Sequence, residues 1–160
     1  MSVYLSVAPP DGFVRWGDAE WDRWLREHPW EAAERVCSRG DWAAFLYQLR
    51  QHAKRGAKLV EPFLEVLVNE RPIPTQGASD LREGFAIARD ELSKVPAAAL
   101  RLSNTHFVSN EDLESMIAAA ASRVGRDPTV ADLWSEVFEQ LEKVLANAAA
   151  AGRGVYFGHV

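Results

Sequence analysis

Histidine and cysteine are the side chains in this 160-residue chain with the widest catalytic and metal-binding chemistry. The histidines occur singly and far apart, at His28, His52, His106 and His159. The single cysteine, Cys37, excludes an internal disulfide and a zinc site with several cysteine ligands. No Cys-x-x-Cys pair, zinc-protease motif, glycine-rich phosphate loop or nucleophile elbow occurs. The spacing therefore predicts neither a metal site nor a bound cofactor.

Two of these histidines are the candidate catalytic residues. His106 and His159 fall on predicted strands or strand ends, where the backbone holds a side chain firmly. Gly158, beside His159, lets another segment of backbone approach closely. The competing interpretation is that each is a surface histidine, or a structural histidine with a hydrogen-bond partner.

Tryptophan is the most unusual feature of the composition, because five of the six tryptophans lie within the first 42 residues. Trp21, Trp24 and Trp42 fit the apolar faces of helices, so core packing is their first interpretation. Trp16 and Trp30 lie near turns and have less reason to be buried. Aromatic side chains at the mouth of a cleft bind apolar ligands, and those on a flat patch anchor protein partners. The candidate binding residues are Tyr4, Trp16, Trp21 and Trp30.

Strand patterns occur at both ends of the chain. Ser2 to Ala8 and Val155 to Phe157 are short apolar runs with β-branched and aromatic residues, and 105–108 is a third short segment of this kind. Because isolated strands are marginally stable, we expect 3–8 and 154–160 to pair with each other or with 105–108. The product would be a small antiparallel sheet.

The rest of the chain has mainly helical periodicity. In the first half, helices are predicted after a cap at Asp18, from Pro29 to Gly40, from Asp41 to Gly56, and onward from Pro62. The helix from Pro29 contains Cys37, which is interpreted as a small buried hydrophobe.

In the second half, Arg71 to Ala78 is predicted as a loop. Helices are predicted from a capping pair at Asp80 and Glu83, from Ser109 to Gly125, and from Asp127-Pro128 to Gly152. The whole pattern predicts one predominantly helical α+β domain over residues 1–160.

The charge balance bears on the class of partner. Lys and Arg number 18 and Asp and Glu 23, so the net charge is −5. This balance argues against a nucleic-acid binder and against a polybasic membrane anchor, because both need a basic surface. No apolar run is long enough to cross a bilayer, and the first residues lack the pattern of a signal peptide. We therefore expect a cytoplasmic protein with a reduced thiol.

Several segments in this order resemble one known family. They are an opening strand with Tyr4, a Trp-Ala-Ala-Phe-Leu helix at Trp42 to Leu46, a long late helix, and a closing Ala-Ala-Gly-Arg-Gly-Val-Tyr-Phe strand. In outline, most of the chain is similar to the YfbM-like bacterial proteins, which are small α+β proteins of unassigned function. The resemblance implies the same fold class and transfers no catalytic residue.

Two functions of different classes are compatible with these residues. The first is a non-enzymatic cytoplasmic module that binds a protein partner or a small apolar ligand through its N-terminal aromatic residues. The alternative is a small cofactor-free enzyme of bacterial specialised metabolism, which would shape a reactive substrate in a helix-lined pocket. The alanine- and arginine-rich composition, typical of a high-GC genome, favours the alternative. A closed aromatic pocket around His106 or His159 would indicate the enzyme, and a flat exposed aromatic patch would indicate the binding module.

Overall fold

The computed structural model describes residues 2–8, 19–28, 33–64, 72–102 and 110–159, without the side chains of Glu20, Trp21, Leu25, Arg101, Leu102, Asn110 and His159. Its strands are β1 (Ser2–Val7), β2 (Glu34–Ser38) and β3 (Val155–His159). Its α-helices are α1 (Ala19–Glu27), α2 (Arg39–His52), α3 (Lys54–Leu64), α4 (Thr75–Leu92), α5 (Asn110–Val124), α6 (Val130–Leu133) and α7 (Ser135–Ala151). A 3-10 helix spans Ala97–Leu102.

The three strands form an antiparallel sheet in the order β2-β1-β3. Val3 lies opposite His159, and Leu5 lies opposite Phe157. Alternate residues of β1 point to one face, where Val3, Leu5 and Val7 are buried beside α2 and α7. The expected α+β class, and the pairing of the first and last strands, are thus confirmed.

The strand β2 corrects the predicted helix from Pro29 to Gly40. Residues 29–32 lie outside the described part of the chain, but Glu34–Ser38 pairs with β1. Its Val36 and Cys37 are buried, at 6% and 7% exposure. Pairing beside β1 and burial of these two side chains outweigh the local helical pattern, because strand formation depends on neighbours more than on intrinsic preference. The burial predicted for Cys37 is confirmed.

The start of α2 also differs from the prediction. Ser38 caps the helix: its Oγ accepts a hydrogen bond from the Asp41 backbone N–H at 3.1 Å and donates one to Asp41 Oδ2 at 2.5 Å. Asp41, predicted as the cap, is therefore inside the first turn, where its charge favours the helix dipole. Gly40, predicted to end a helix, lies in that same turn.

Glycine in α3 serves close packing and does not end a helix. An ideal Cβ built on Gly56 would lie 2.6 Å from Ala88 Cβ, so only glycine allows α3 to pack this closely on α4. The prediction that Gly56 ends a helix is therefore wrong. Pro62, predicted to open the next helix, instead lies near the end of α3.

The boundaries of the later helices differ in two places. The helix α4 starts at Thr75, ahead of the predicted capping pair at Asp80 and Glu83. The long helix predicted from Asp127 onward is interrupted at Trp134, which separates α6 from α7. The predicted ends at Gly125 and Gly152 are confirmed, since both glycines adopt left-handed backbone angles, with φ of 69° and 63°.

Aromatic rings fill the space between the sheet and the helices. The Phe45 ring centroid lies 5.5 Å from that of Trp42, 5.6 Å from Trp134 and 5.2 Å from Phe138. Core packing of Trp42 is thereby confirmed, with 5% exposure. In the described residues, no helix combines the length and the apolar character that crossing a membrane requires.

Candidate functional site

The structure describes some of the predicted site residues completely, some only in their backbone, and some not at all. Trp16, Trp30 and His106 lie outside the described residues. The backbones of Trp21 and His159 belong to α1 and β3, but their side chains lie outside the description. Tyr4 is half-buried in β1, and its Cα lies opposite Arg35 in β2 and Gly158 in β3.

One N-terminal tryptophan, Trp24 of α1, has defined contacts. Its ring stacks on that of His28, with centroids 3.8 Å apart and planes inclined by 12°. The His28 Nδ1 donates to the Trp24 carbonyl oxygen at 3.0 Å, which fixes the imidazole against the helix end. The Arg153 guanidinium lies 5.8 Å from the Trp24 ring centroid, in cation–π geometry.

Arg153 connects this aromatic stack to the rest of the molecule. Its Nε donates to the Ala8 carbonyl oxygen at 3.1 Å, and its Nη2 donates to the same oxygen. The same side chain lines a cavity between α4 and α7. Sequence reasoning missed Arg153, although an arginine between Gly152 and Gly154 directly follows a predicted helix end.

Two adjoining cavities, of about 480 and 300 Å³, lie between α4 and α7. They share the lining residues Ser79, Arg82 and Leu145, and we call the two cavities together the α4–α7 groove. The buried side chains Phe85, Phe138 and Leu145 form the apolar floor of the larger cavity, and Leu145 also lines the smaller one. Arg89 marks one end and Arg153 marks the other.

Charged side chains line both sides of the groove, with Arg82, Glu83 and Arg89 on α4 and Glu142 on α7. On α4, Arg82 donates to Glu142 of α7 through Nε at 3.0 Å and Nη2 at 2.5 Å. Arg89 of α4 lies 3.9 Å from Glu139 of α7, with its guanidinium 5.8 Å from the Phe138 ring centroid. The hydrogen bonds and charge of Glu142 raise the pKa of Arg82 above its ordinary value. Both ion pairs are exposed, so each stabilises the fold by only about 0–1 kcal/mol.

The cysteine has no activated thiol. Burial raises the pKa of Cys37 to about 12, and the negative charge of Asp41 adds to this effect while Arg35 acts against it. At neutral pH the thiol is therefore protonated and a poor nucleophile. Among the residues that the structure describes, no three His, Cys, Asp or Glu side chains come together as metal ligands.

Comparison with known proteins does not assign this site. No protein-family model, no curated protein and no solved structure matches the chain. The resemblance to the YfbM-like proteins stays a prediction.

Proposed function

We propose that the protein is a non-enzymatic binding module whose α4–α7 groove receives an amphipathic helix of a protein partner. One observation carries this proposal: two adjoining cavities with buried apolar side chains beneath them run along α4, with Arg82 and Arg89 on the α4 side and Glu142 on the α7 side. Amphipathic helices bind to such grooves through apolar residues spaced three and four apart.

The dimensions of the groove favour a helix over a small ligand. Along α4 the lining residues run from Thr75 to Arg89, which corresponds to about 21 Å at 1.5 Å per residue. A helix of about 14 residues has this length. Sites for small molecules bury about 70–90% of the ligand surface, whereas the larger of the two cavities is about half open to solvent. Ser79, Ala86 and Ala149 are small and exposed, so a helix can approach closely.

The charges specify the partner helix further. Arg82 and Arg89 outweigh the single charge of Glu83 on the α4 side and favour acidic residues on the flank that faces it. Glu142, with Glu139 nearby, favours basic residues on the flank that faces α7. Exchange of these exposed intramolecular ion pairs for intermolecular ones costs little, because each contributes only about 0–1 kcal/mol.

The N-terminal aromatic residues extend this surface in the proposal. Trp24 lies next to the groove, because the Arg153 side chain that lines the smaller cavity also contacts the Trp24 ring. We propose that Trp16 and Trp30, with Tyr4 and Trp21, add aromatic anchors for the partner. Replacement of Trp16 or Trp30 by alanine should then lower stability by less than about 1 kcal/mol but weaken binding by about 2 kcal/mol or more. A loss of stability of about 3–5 kcal/mol in both variants would show that they are core residues.

A display library of amphipathic 14-residue peptides tests the groove directly. We expect selected peptides to be helical when bound and to carry acidic residues along one flank. The Ala86→Trp and Ala149→Trp variants fill the groove and should weaken binding at least about tenfold, equivalent to 1.4 kcal/mol. Ala150→Trp is the matched control, because Ala150 is exposed on the same helix but does not line the cavity.

Three outcomes would contradict the proposal. Selected peptides that bind Ala86→Trp as tightly as the original protein would place the partner elsewhere. A library without any binder would show that the groove takes no helix. Stoichiometric binding of an apolar dye that Ala86→Trp abolishes, without peptide binding, would assign the groove to a small apolar ligand.

Two finer predictions accompany the binding module. The cytoplasm is its proposed location, supported by a composition with one cysteine, Cys37, whose side chain is buried and forms no disulfide. The alternative of a cofactor-free enzyme depends on His106 and His159, and it predicts that replacement of either by glutamine abolishes turnover of a substrate.

A further inference from the structure

The strand β2 lies at the edge of the sheet. It pairs with β1 on one side, and within residues 2–8, 19–28, 33–64, 72–102 and 110–159 no strand pairs with its other side. Alternate N–H and C=O groups of an edge strand point away from its neighbour. These groups are a template for the backbone of another extended segment.

A third cavity is lined by residues of β2. It has a volume of about 370 Å³, and four consecutive residues of β2, Arg35 to Ser38, form one side. Met116, Ala119 and Arg123 of α5 form the opposite side, and Leu133 and Val137 contribute apolar surface. We call this cavity the β2–α5 groove. Four strand residues extend over about 13 Å, and the groove lies between a strand edge and a helix, which is the setting for strand addition.

Charges at the two ends of the groove define a direction. Arg35 lies near the start of β2, and Asp41 lies just beyond its end. Both are exposed, and both affect the Cys37 thiol between them, Asp41 raising its pKa and Arg35 lowering it. A peptide antiparallel to β2 would have its first residues beside Asp41 and its last residues beside Arg35. Arg123 and Glu136 also line the groove and contribute one charge of each sign, so the charges of Arg35 and Asp41 on the β2 side set the preference. The complementary peptide is therefore basic at its start and acidic at its end.

We propose that the β2–α5 groove binds an extended peptide segment of a protein partner, added antiparallel to β2 as a fourth strand. Main-chain hydrogen bonds to the β2 edge would supply the general affinity, and alternate apolar side chains would enter the cleft beside Met116 and Leu133. The proposal is independent of the α4–α7 groove, because the cavities there share no lining residue with this one.

A hexapeptide with blocked ends and the sequence Lys-Val-Thr-Val-Thr-Glu is the first probe. We expect binding with a dissociation constant below about 1 mM and slower hydrogen exchange of β2 backbone amides. A peptide in which the lysine and the glutamate swap positions should bind about 3- to 10-fold more weakly, because the exposed charge contacts with Asp41 and Arg35 both become repulsive. Proline in place of the second valine of the peptide removes one main-chain donor and should weaken binding more than about 10-fold.

A pair of alanines on α5 provides the matched variants. Ala119→Trp fills the groove and should abolish binding, whereas Ala118→Trp should not, because Ala118 is exposed on the same helix outside the groove. Equal binding to both variants, or equal binding of the proline peptide, would overturn the proposal. Dimerisation of the free protein that Ala119→Trp prevents would also overturn it, because a second copy of the chain would then occupy the edge.

Discussion

The indole Nε1 of Trp134 donates a hydrogen bond to the side-chain Oε1 of Gln48, across the middle of the helical layer. Both residues are buried, at 3% and 2% exposure. The contact joins α2 to the junction where α6 ends and α7 begins. A polar pair can be buried here because the indole N–H and the amide oxygen are hydrogen-bonded to each other.

Removal of the acceptor should therefore be costly. We expect Gln48→Met to lower the free energy of unfolding by about 1–3 kcal/mol, because the Trp134 N–H stays buried without a partner. Urea denaturation measures the loss. Gln51→Met is the control, because Gln51 is exposed on the same helix and its replacement should leave the midpoint nearly unchanged. Equal midpoints for the two variants would contradict the role of the pair.

Two glycine-to-alanine changes should have opposite signs. In Gly56→Ala the new Cβ would lie 2.6 Å from both the Cβ and the backbone N of Ala88, so α3 and α4 must separate. We expect a loss of about 1–3 kcal/mol, which exceeds the gain of about 1 kcal/mol in helix propensity. In Gly40→Ala the nearest atom, Ser38 Oγ, lies 3.9 Å away, so stability should rise by about 0.5–1 kcal/mol. Thermal melts distinguish the two, and a more stable Gly56→Ala protein would refute the packing argument.

The Cys37 thiol should make stability depend on alkaline pH. Its pKa is about 12 in the folded protein against an ordinary 9.0, so the unfolded chain loses the proton first. The stabilisation is complete below pH 9 and is lost as the pH rises from 9 toward 12. Urea midpoints should therefore fall more steeply over this range for the original protein than for Cys37→Ala. Parallel curves would show that the thiol does not contribute.

An acidic pH dependence should come from Asp132. Burial raises the pKa of this carboxyl, but hydrogen bonds from Arg126 and from the backbone and hydroxyl of Thr129 outweigh it and bring the pKa below its usual 3.8. A lowered pKa stabilises the fold above pH 3.8, and this contribution is lost as the pH falls below it. At neutral pH we expect Asp132→Asn to cost about 1 kcal/mol, because it weakens the capping box of α6.

The control for this prediction is Asp127→Asn, since Asp127 is exposed and outside the capping box. The difference in stability between the original protein and Asp132→Asn should shrink as the solution is acidified. A difference that stays constant down to about pH 3 would mean that the charge of Asp132 has no stabilising effect.

The sequence predicts the parts of this fold that depend on local chemistry. The apolar alternation of Val3, Leu5 and Val7 and the left-handed conformation at Gly152 need no knowledge of distant segments. The strand β2 does need it, because Val36 and Cys37 become strand residues through pairing with β1. Likewise, the advantage of Gly56 is visible only when Ala88, 32 positions later, lies against it.

The grooves were even less accessible to sequence analysis. The aromatic residues near the start of the chain predicted a surface, but they did not indicate that Arg153, from the other end, would lie over Trp24. The pairing of Arg82 with Glu142 joins helices that are 60 positions apart. Side chains that meet through tertiary packing leave no spacing pattern along the chain.

The pairing of Val3 with His159 places the first strand in the middle of the sheet and the last strand beside it. During synthesis at about 5–20 residues per second, β1 leaves the ribosome on the order of ten seconds before β3. Throughout that interval β1 can pair with β2 alone. The nascent chain therefore presents the apolar strand of Val3, Leu5 and Val7 with the edge that β3 later covers still open. Before β3 emerges, the nascent chain is thus exposed to chaperone capture and to aggregation among chains on one polysome.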